Sequence, residues 1–255
     1  MTAPIGTEPN AALRRASALT DILGAELVLL RTAVDAGRID AHPGDGELEE
    51  EEWQTPVSTT RRWCGKVLGE GTPSYPVVVS HREIATAIVE TAQRLGASLI
   101  VVPHTRNGAL IRRIVRKTGI PLLIARRTRG NFTVVAATDL SDPEYPVLRA
   151  GLRIARGVVA PTVFVYNAAP NLAGEPAPLE GVARELGASG ANVVVRWPSA
   201  VDAIREVVAQ READLVVVGT HLRRRKDSTR HSSVAARIVD HAVTSVLVVP
   251  VSSDE

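Results

Sequence analysis

Two short apolar runs, Ala97–Val102 (ASLIVV) and Ala213–Val218 (ADLVVV), stand 116 positions apart, and each follows a segment with helical spacing. An internal repeat constrains the architecture more than any other feature, because two copies of one unit must fold by one plan. In Ile84–Leu95 the apolar residues Ile84, Ile88, Ala92 and Leu95 share a helical face. In Val201–Val208 that face is Val201, Ile204, Val207 and Val208, with Asp202, Arg205 and Glu206 turned outward. Each strand leads through a loop and a helix to a second apolar strand, Pro121–Ala125 (PLLIA) or Ser245–Pro250 (SVLVVP). Strand and helix alternating at this spacing predict βαβ units and a parallel sheet in each copy.

The earlier parts of the copies match as well. Ala12–Leu30 lies over Val147–Val165 without gaps at an offset of 135, both reading as an amphipathic helix running into a strand. The offset falls to 116 at the ASLIVV and ADLVVV strands and rises to 124 at the last strands. The first copy therefore carries 19 extra residues in its middle, and the second carries 8 in its late loop. The polar run Arg126–Gly130 reads as the junction, giving one domain over 1–127 and another over 131–255. The insertion in copy one includes Gly44–Trp53 (GDGELEEEEW), whose Glu49–Glu52 run reads as a solvated helix face or loop.

Val, Ala, Leu and Ile supply most of an apolar fraction of 45%, which suits strands buried on both faces. Aromatics make up 3%, too few for the stacking platforms of single-strand nucleic-acid binders. A net charge of +2 gives no general affinity for polyanions, so a nucleic-acid partner is not expected. The single cysteine, Cys64, rules out an internal disulfide and fits a reducing compartment. No basic stretch followed by an apolar one opens the sequence, and runs such as Leu215–Val218 are far shorter than a bilayer span. A cytoplasmic protein without membrane contact is expected.

Copy two opens with Phe132–Asp139 (FTVVAATD), a buried-type strand ending in a polar turn. The offset of 135 sets Pro4 opposite Asp139 and Met1 opposite Ala136, so copy one lacks a counterpart for nearly all of this strand. In a doubly wound sheet the first strand lies centrally, and its loss exposes strand edges and apolar faces. A start set too late or a compensating partner strand would account for it. The intact mass of the protein from its own host separates the two.

Copy two resembles a universal stress protein domain from Asn131 to Val251, through Ala136–Ser141 (AATDLS), Ala213–His221 (ADLVVVGTH) and Ser233–Pro250. Copy one resembles it more weakly, through Leu95–Val102 and Ile111–Ala125. The resemblance implies two tandem Rossmann-like domains, each a parallel sheet of about five strands flanked by helices, with the first strand missing in copy one. It further implies a non-enzymatic stress-response protein that pairs as a homodimer or between its own domains. It also implies ATP, with Mg2+, held between the end of the first strand and a glycine motif after the fourth. Glycines in such a motif let backbone amides approach phosphates, and a helix N-terminus supplies positive potential.

On this resemblance Ala137, Thr138 and Asp139 are the adenosine-side candidates, Asp139 equally serving as a turn and cap residue. Gly219 takes the first glycine position, with His221 close behind it. Leu222 stands at the second glycine position and Ser232 at the third, followed by Ser233 and Val234. A leucine forced into left-handed backbone costs about 1–2 kcal/mol, so Leu222 is the chief departure from the motif. Arg223, Arg224, Arg225 and Lys226 lie between, either gripping phosphates through side chains or forming a solvated basic loop. Copy one has Pro103 in place of Gly219 and a shorter late loop, although Gly108 falls at its third glycine position. It reads as a structural or dimerising half.

Other chemistries fit less well. Asp139, His221 and Ser232 or Ser233 suggest a hydrolase triad, but no G-x-S-x-G elbow is present. The six histidines show no metal-ligand spacing. Cys64, beside Arg61 and Arg62, is either an activated thiol or a buried inert one. The alternative to nucleotide binding is a nucleotide-free interaction and dimerisation module whose basic loop meets an acidic partner.

Overall fold

The structure, a computed structural model, describes residues 7–32, 56–69, 71–105, 107–126, 132–167, 177–188, 191–196, 199–221 and 234–252. The acidic run at 49–52 lies outside them.

In the second half, β5 (Val134–Thr138) is followed by α5 (Pro146–Gly157), β6 (Thr162–Asn167), α6 (Ala177–Glu185) and β7 (Asn192–Arg196). Then come α7 (Ala200–Gln210), β8 (Leu215–His221), α8 (Val234–His241) and β9 (Ser245–Val251). The strands run in the order β7-β6-β5-β8-β9, each parallel to its neighbour. Their apolar runs are buried on both faces. Val135, Val163, Val216 and Val246 meet α7 and α8, whereas Val134, Phe164, Val217 and Leu247 meet α5 and α6. The face foreseen on α7, Val201 with Ile204, Val207 and Val208, is buried throughout.

The first half contains α1 (Thr7–Leu23), β1 (Leu29–Thr32), α2 (Pro56–Leu68) and β2 (Val77–Ser80). It continues with α3 (Ile84–Arg94), β3 (Ile100–Pro103), α4 (Gly108–Thr118) and β4 (Leu122–Ala125). Its strands do not make one sheet. β1 and β2 form a parallel pair of their own, while β3 and β4 join the second half as the far edge of a seven-stranded sheet. The division falls where the missing first strand would lie, between the counterparts of β6 and β8. Of the face foreseen on α3, Ala92 is buried and Ile84 and Ile88 half-buried, but Leu95, which caps the end of the helix, is 46% exposed.

The halves meet through their last strands, β4 running antiparallel to β9. Leu122 pairs with Val248, Leu123 with Leu247 and Ile124 with Val246. Under the repeat offset of 124, Leu123 and Leu247 are equivalent and the flanking pairs exchange partners. The contact is therefore isologous, with a local two-fold axis at Leu123–Leu247, as in a symmetric dimer. Beside it the equivalent helices α4 and α8 cross, and Gly108 lets them approach closely. A Cβ there would collide with the backbone of Ala236, and the Gly108 N–H donates to Asp240 Oδ1 at 2.8 Å.

Cys64 sits on α2 in a small separate core with Leu13, Leu29 and Val67. Of its two readings the structure supports the inert one, since it is 4% exposed and burial pushes its thiol pKa up. A raised pKa keeps the thiol protonated and unreactive at neutral pH. Ellman's reagent should therefore leave the native thiol unmodified at pH 7.5 and titrate one thiol per chain in guanidinium chloride.

Candidate functional site

The order β7-β6-β5-β8-β9 reverses direction between β5 and β8. At such a switch point the connections leave on opposite sides of the sheet and open a crevice beyond the strand ends. The loop after β5 builds one wall. Thr138 Oγ1 accepts from the Leu140 N–H at 2.9 Å, and Asp139 Oδ1 accepts from the Ser141 N–H at 3.0 Å. These bonds hold Leu140 in left-handed backbone, φ 58°. Asp142, 7% exposed, accepts from the Glu144 N–H through Oδ1 and from the Ser252 N–H through Oδ2, each at 2.9 Å. The loop is thereby tied to the end of β9. Pro146 then starts α5 at a position where a missing N–H costs nothing.

The opposite wall is the end of β8. Gly219 lies within the extended strand, and its missing side chain is required by packing. A Cβ there would stand 2.6 Å from Val251 Cγ2 and 3.2 Å from Val147 Cγ2, both methyls belonging to the crevice wall. Two residues on, His221 Nε2 lies 3.9 Å from Asp139 Oδ2, beyond hydrogen-bond reach. The His221 Nδ1 atom is buried with no partner among the described residues.

Between the walls lies a pocket of about 210 Å³. Its apolar lining comes from Ala137, Val165, Ile204 and Val251, and its polar lining from Thr138, Asp139, Asp142 and His221. Val234, the first residue of α8, closes one side, so a helix N-terminus borders the cavity. Six sequence-derived candidates thus converge here: Ala137, Thr138, Asp139, Gly219, His221 and Val234. Leu222, Arg223, Arg224, Arg225, Lys226, Ser232 and Ser233 lie outside the described residues. So do both serines of the triad reading, of which only Asp139 and His221 are placed.

Sequence reasoning missed Asp142, whose signal was the Ser-Asp-Pro turn after Asp139. It also missed Val165 and Val251, which look like ordinary core positions until strand order is known. Among the described residues no cluster of three His, Cys, Asp or Glu suits a metal ion. No helix among them is long and apolar enough to cross a membrane. In the first half Pro103 is buried at the end of β3, and Gly108 serves the α4–α8 crossing.

The model of the universal stress protein family matches the chain twice, over residues 6–126 and 131–250. No curated protein sequence matches it. Among solved structures, a functionally unknown protein from Pseudomonas aeruginosa PAO1 is 17% identical with a TM-score of 0.66. That match covers 98% of this chain and 90% of the other. A universal stress protein from Archaeoglobus fulgidus DSM 4304 is 12% identical with a TM-score of 0.64, covering 100% and 96%. At these identities the likeness establishes the fold.

Proposed function

Because this chain belongs to the universal stress protein family, we propose that its second half, residues 131–255, is a non-enzymatic receptor for an adenine nucleotide, ATP with Mg2+. The observation that carries this reading is the convergence of Ala137–Asp139 and Gly219–His221 on one pocket at the switch point. The apolar walls suit a flat base, and Asp139 offers a carboxylate to ribose hydroxyls or base amino groups. His221 Nδ1 is a buried polar atom that a ligand would satisfy.

A pocket of about 210 Å³ suits the nucleoside and leaves the phosphates at its mouth. Asp139 and Asp142 oppose anions on their own side, so the phosphates would lie toward the α8 N-terminus, where helix potential favours them. Arg223, Arg224, Arg225 and Lys226 precede that terminus in sequence and would grip them, with Ser232 and Ser233 as hydroxyl donors. Mg2+ would arrive with the triphosphate, since the described residues offer no protein cluster for it. The first half, residues 1–127, serves pairing and holds no nucleotide of its own, as its isologous contact with the second half supports. The role in the cytoplasm is to signal nucleotide state through assembly, as a homodimer or as this internal pair.

Isothermal titration with ATP and magnesium tests the reading. Saturable binding is expected, with an Asp139→Ala loss of about tenfold or more in affinity, or about 1.4 kcal/mol. No heat at millimolar ATP would leave the nucleotide-free interaction module, its basic loop meeting an acidic partner.

A further inference from the structure

Resting on the nucleotide-receptor reading, we propose that Arg112 and Arg116, on α4 of the first half, hold the outer phosphates of the nucleotide bound by the second half. The degenerate half would thus complete the site of the other.

The junction between the halves brings these residues there. Because β4 runs antiparallel to β9, the helices leading into those strands also run in opposite directions. The start of α4 lies against the last turns of α8. Gly108, the first residue of α4, packs on the backbone of Ala236, and its N–H donates to the carboxylate of Asp240 near the end of α8. From that contact the two helices diverge in sequence. Val234, where α8 begins, is two residues from Ala236, or about 3 Å along the axis. Arg112 is four residues from Gly108, about 6 Å, and Arg116 eight, about 12 Å. Both stand just beyond the N-terminal end of α8.

Positions 108, 112 and 116 are successive i, i+4 neighbours, so the arginines follow the ridge that Gly108 turns toward α8. Arg112 is half-buried and Arg116 exposed. Long helical side chains lean toward the N-terminus of their own helix, which carries the Arg116 stem back toward the start of α8.

The local two-fold axis leads to the same place. Under the offset of 124, Asp240 is equivalent to Arg116, and Gly108 to a position two residues ahead of Val234. Exchanging the halves therefore turns the Gly108–Asp240 contact into one between the start of α8 and Arg116. One helix N-terminus meets an acid and the other a base. At α4 the Asp240 carboxylate already supplies the negative charge that a helix N-terminus favours. At α8 the neighbouring cations oppose the helix potential, and an anion between them reconciles the two. Val234 borders the nucleotide pocket, so the phosphates of its ligand are that anion. Arginine suits the task, since its planar fork matches phosphate oxygens in pairs.

Arginines on the helix beside α8 lie about 8–10 Å from its axis. From there they meet phosphates that extend past Val234 and leave the nucleoside untouched. Dependence on phosphate number is therefore the readout.

The full chain is titrated calorimetrically with ATP and magnesium, and separately with AMP. Arg112→Gln combined with Arg116→Gln should lower ATP affinity about tenfold or more and AMP affinity by no more than about twofold. Arg112→Lys with Arg116→Lys keeps the charge and should recover part of the loss. Arg113→Gln is the control, exposed on the same helix but turned about 140° from Gly108, and should bind ATP as the unaltered chain does. Unchanged ATP affinity in the glutamine pair overturns the proposal and leaves the receptor reading standing. Equal losses for ATP and AMP overturn it too, because the substitutions then disturb the pocket itself. An equal loss in Arg113→Gln would reduce the effect to general surface charge. Failure of the unaltered chain to bind either nucleotide would end the receptor reading and this proposal together.

Discussion

Replacing Leu247 by alanine is expected to lower the unfolding free energy by about 2–5 kcal/mol. Leu247 is 3% exposed, pairs with Leu123 across the β4–β9 junction, and packs into the core shared with α5. The truncation leaves a cavity that β-sheet backbone on both sides cannot collapse to fill. Leu123→Ala should cost a comparable amount, because the two residues occupy equivalent places about the local two-fold axis. The double substitution should cost less than the sum, since both side chains border one void. Urea unfolding monitored by circular dichroism measures all three. Val243→Ala, at a side chain 60% exposed, serves as the control and should change stability by no more than about 0.5 kcal/mol. A Leu247→Ala effect as small as that control would mean that the halves are not held together through β4 and β9.

Gly219→Val should reduce ATP affinity on the order of a hundredfold, about 2.7 kcal/mol. Its Cβ would press on Val251 and Val147, and the branched side chain would be driven into the pocket those methyls line. Overpacking should also cost about 1–3 kcal/mol of stability, so affinity must be measured well below the variant's unfolding midpoint. Gly181→Ala makes the matched control, because a Cβ on that α6 residue meets nothing within 4 Å. Titration calorimetry on the three proteins separates pocket closure from a general response to glycine replacement. Unaltered affinity in Gly219→Val would place any nucleotide site elsewhere.

The second half was largely legible in the sequence. Leu215–Val218 and Val246–Val249 are buried parallel strands because nothing polar interrupts them, and the helical face of α7 follows from its spacing alone. The neighbours Ala137–Asp139 and Gly219–His221 were legible as a pair through family resemblance, and the strand order explains their meeting.

What was not legible depends on contacts between distant segments. The absence of a first strand showed in the repeat alignment, but its consequence, a sheet divided into two pieces, did not. Helical spacing on Ile84–Leu95 predicts a buried face, yet the helix ends at Arg94 and Leu95 caps it in an exposed position. Gly108 looked like a phosphate-loop glycine because it falls in register. Only the crossing of α4 over α8 shows that its bare backbone is needed against Ala236. Asp142 carried a turn signal, yet its bond to the Ser252 N–H spans 110 residues and has no local signature. The antiparallel β4–β9 junction likewise follows from a symmetry between copies that periodicity within one copy does not encode.

The most direct test of the nucleotide receptor is an ATP–magnesium titration followed by amide NMR on uniformly labelled protein. The account predicts saturable shifts confined to Ala137–Asp139, Gly219–His221, Val234, the residues joining β8 to α8, and Arg112–Arg116 of α4. The rest of the first half should stay unperturbed. Shifts centred elsewhere, or none at millimolar ATP, would contradict it.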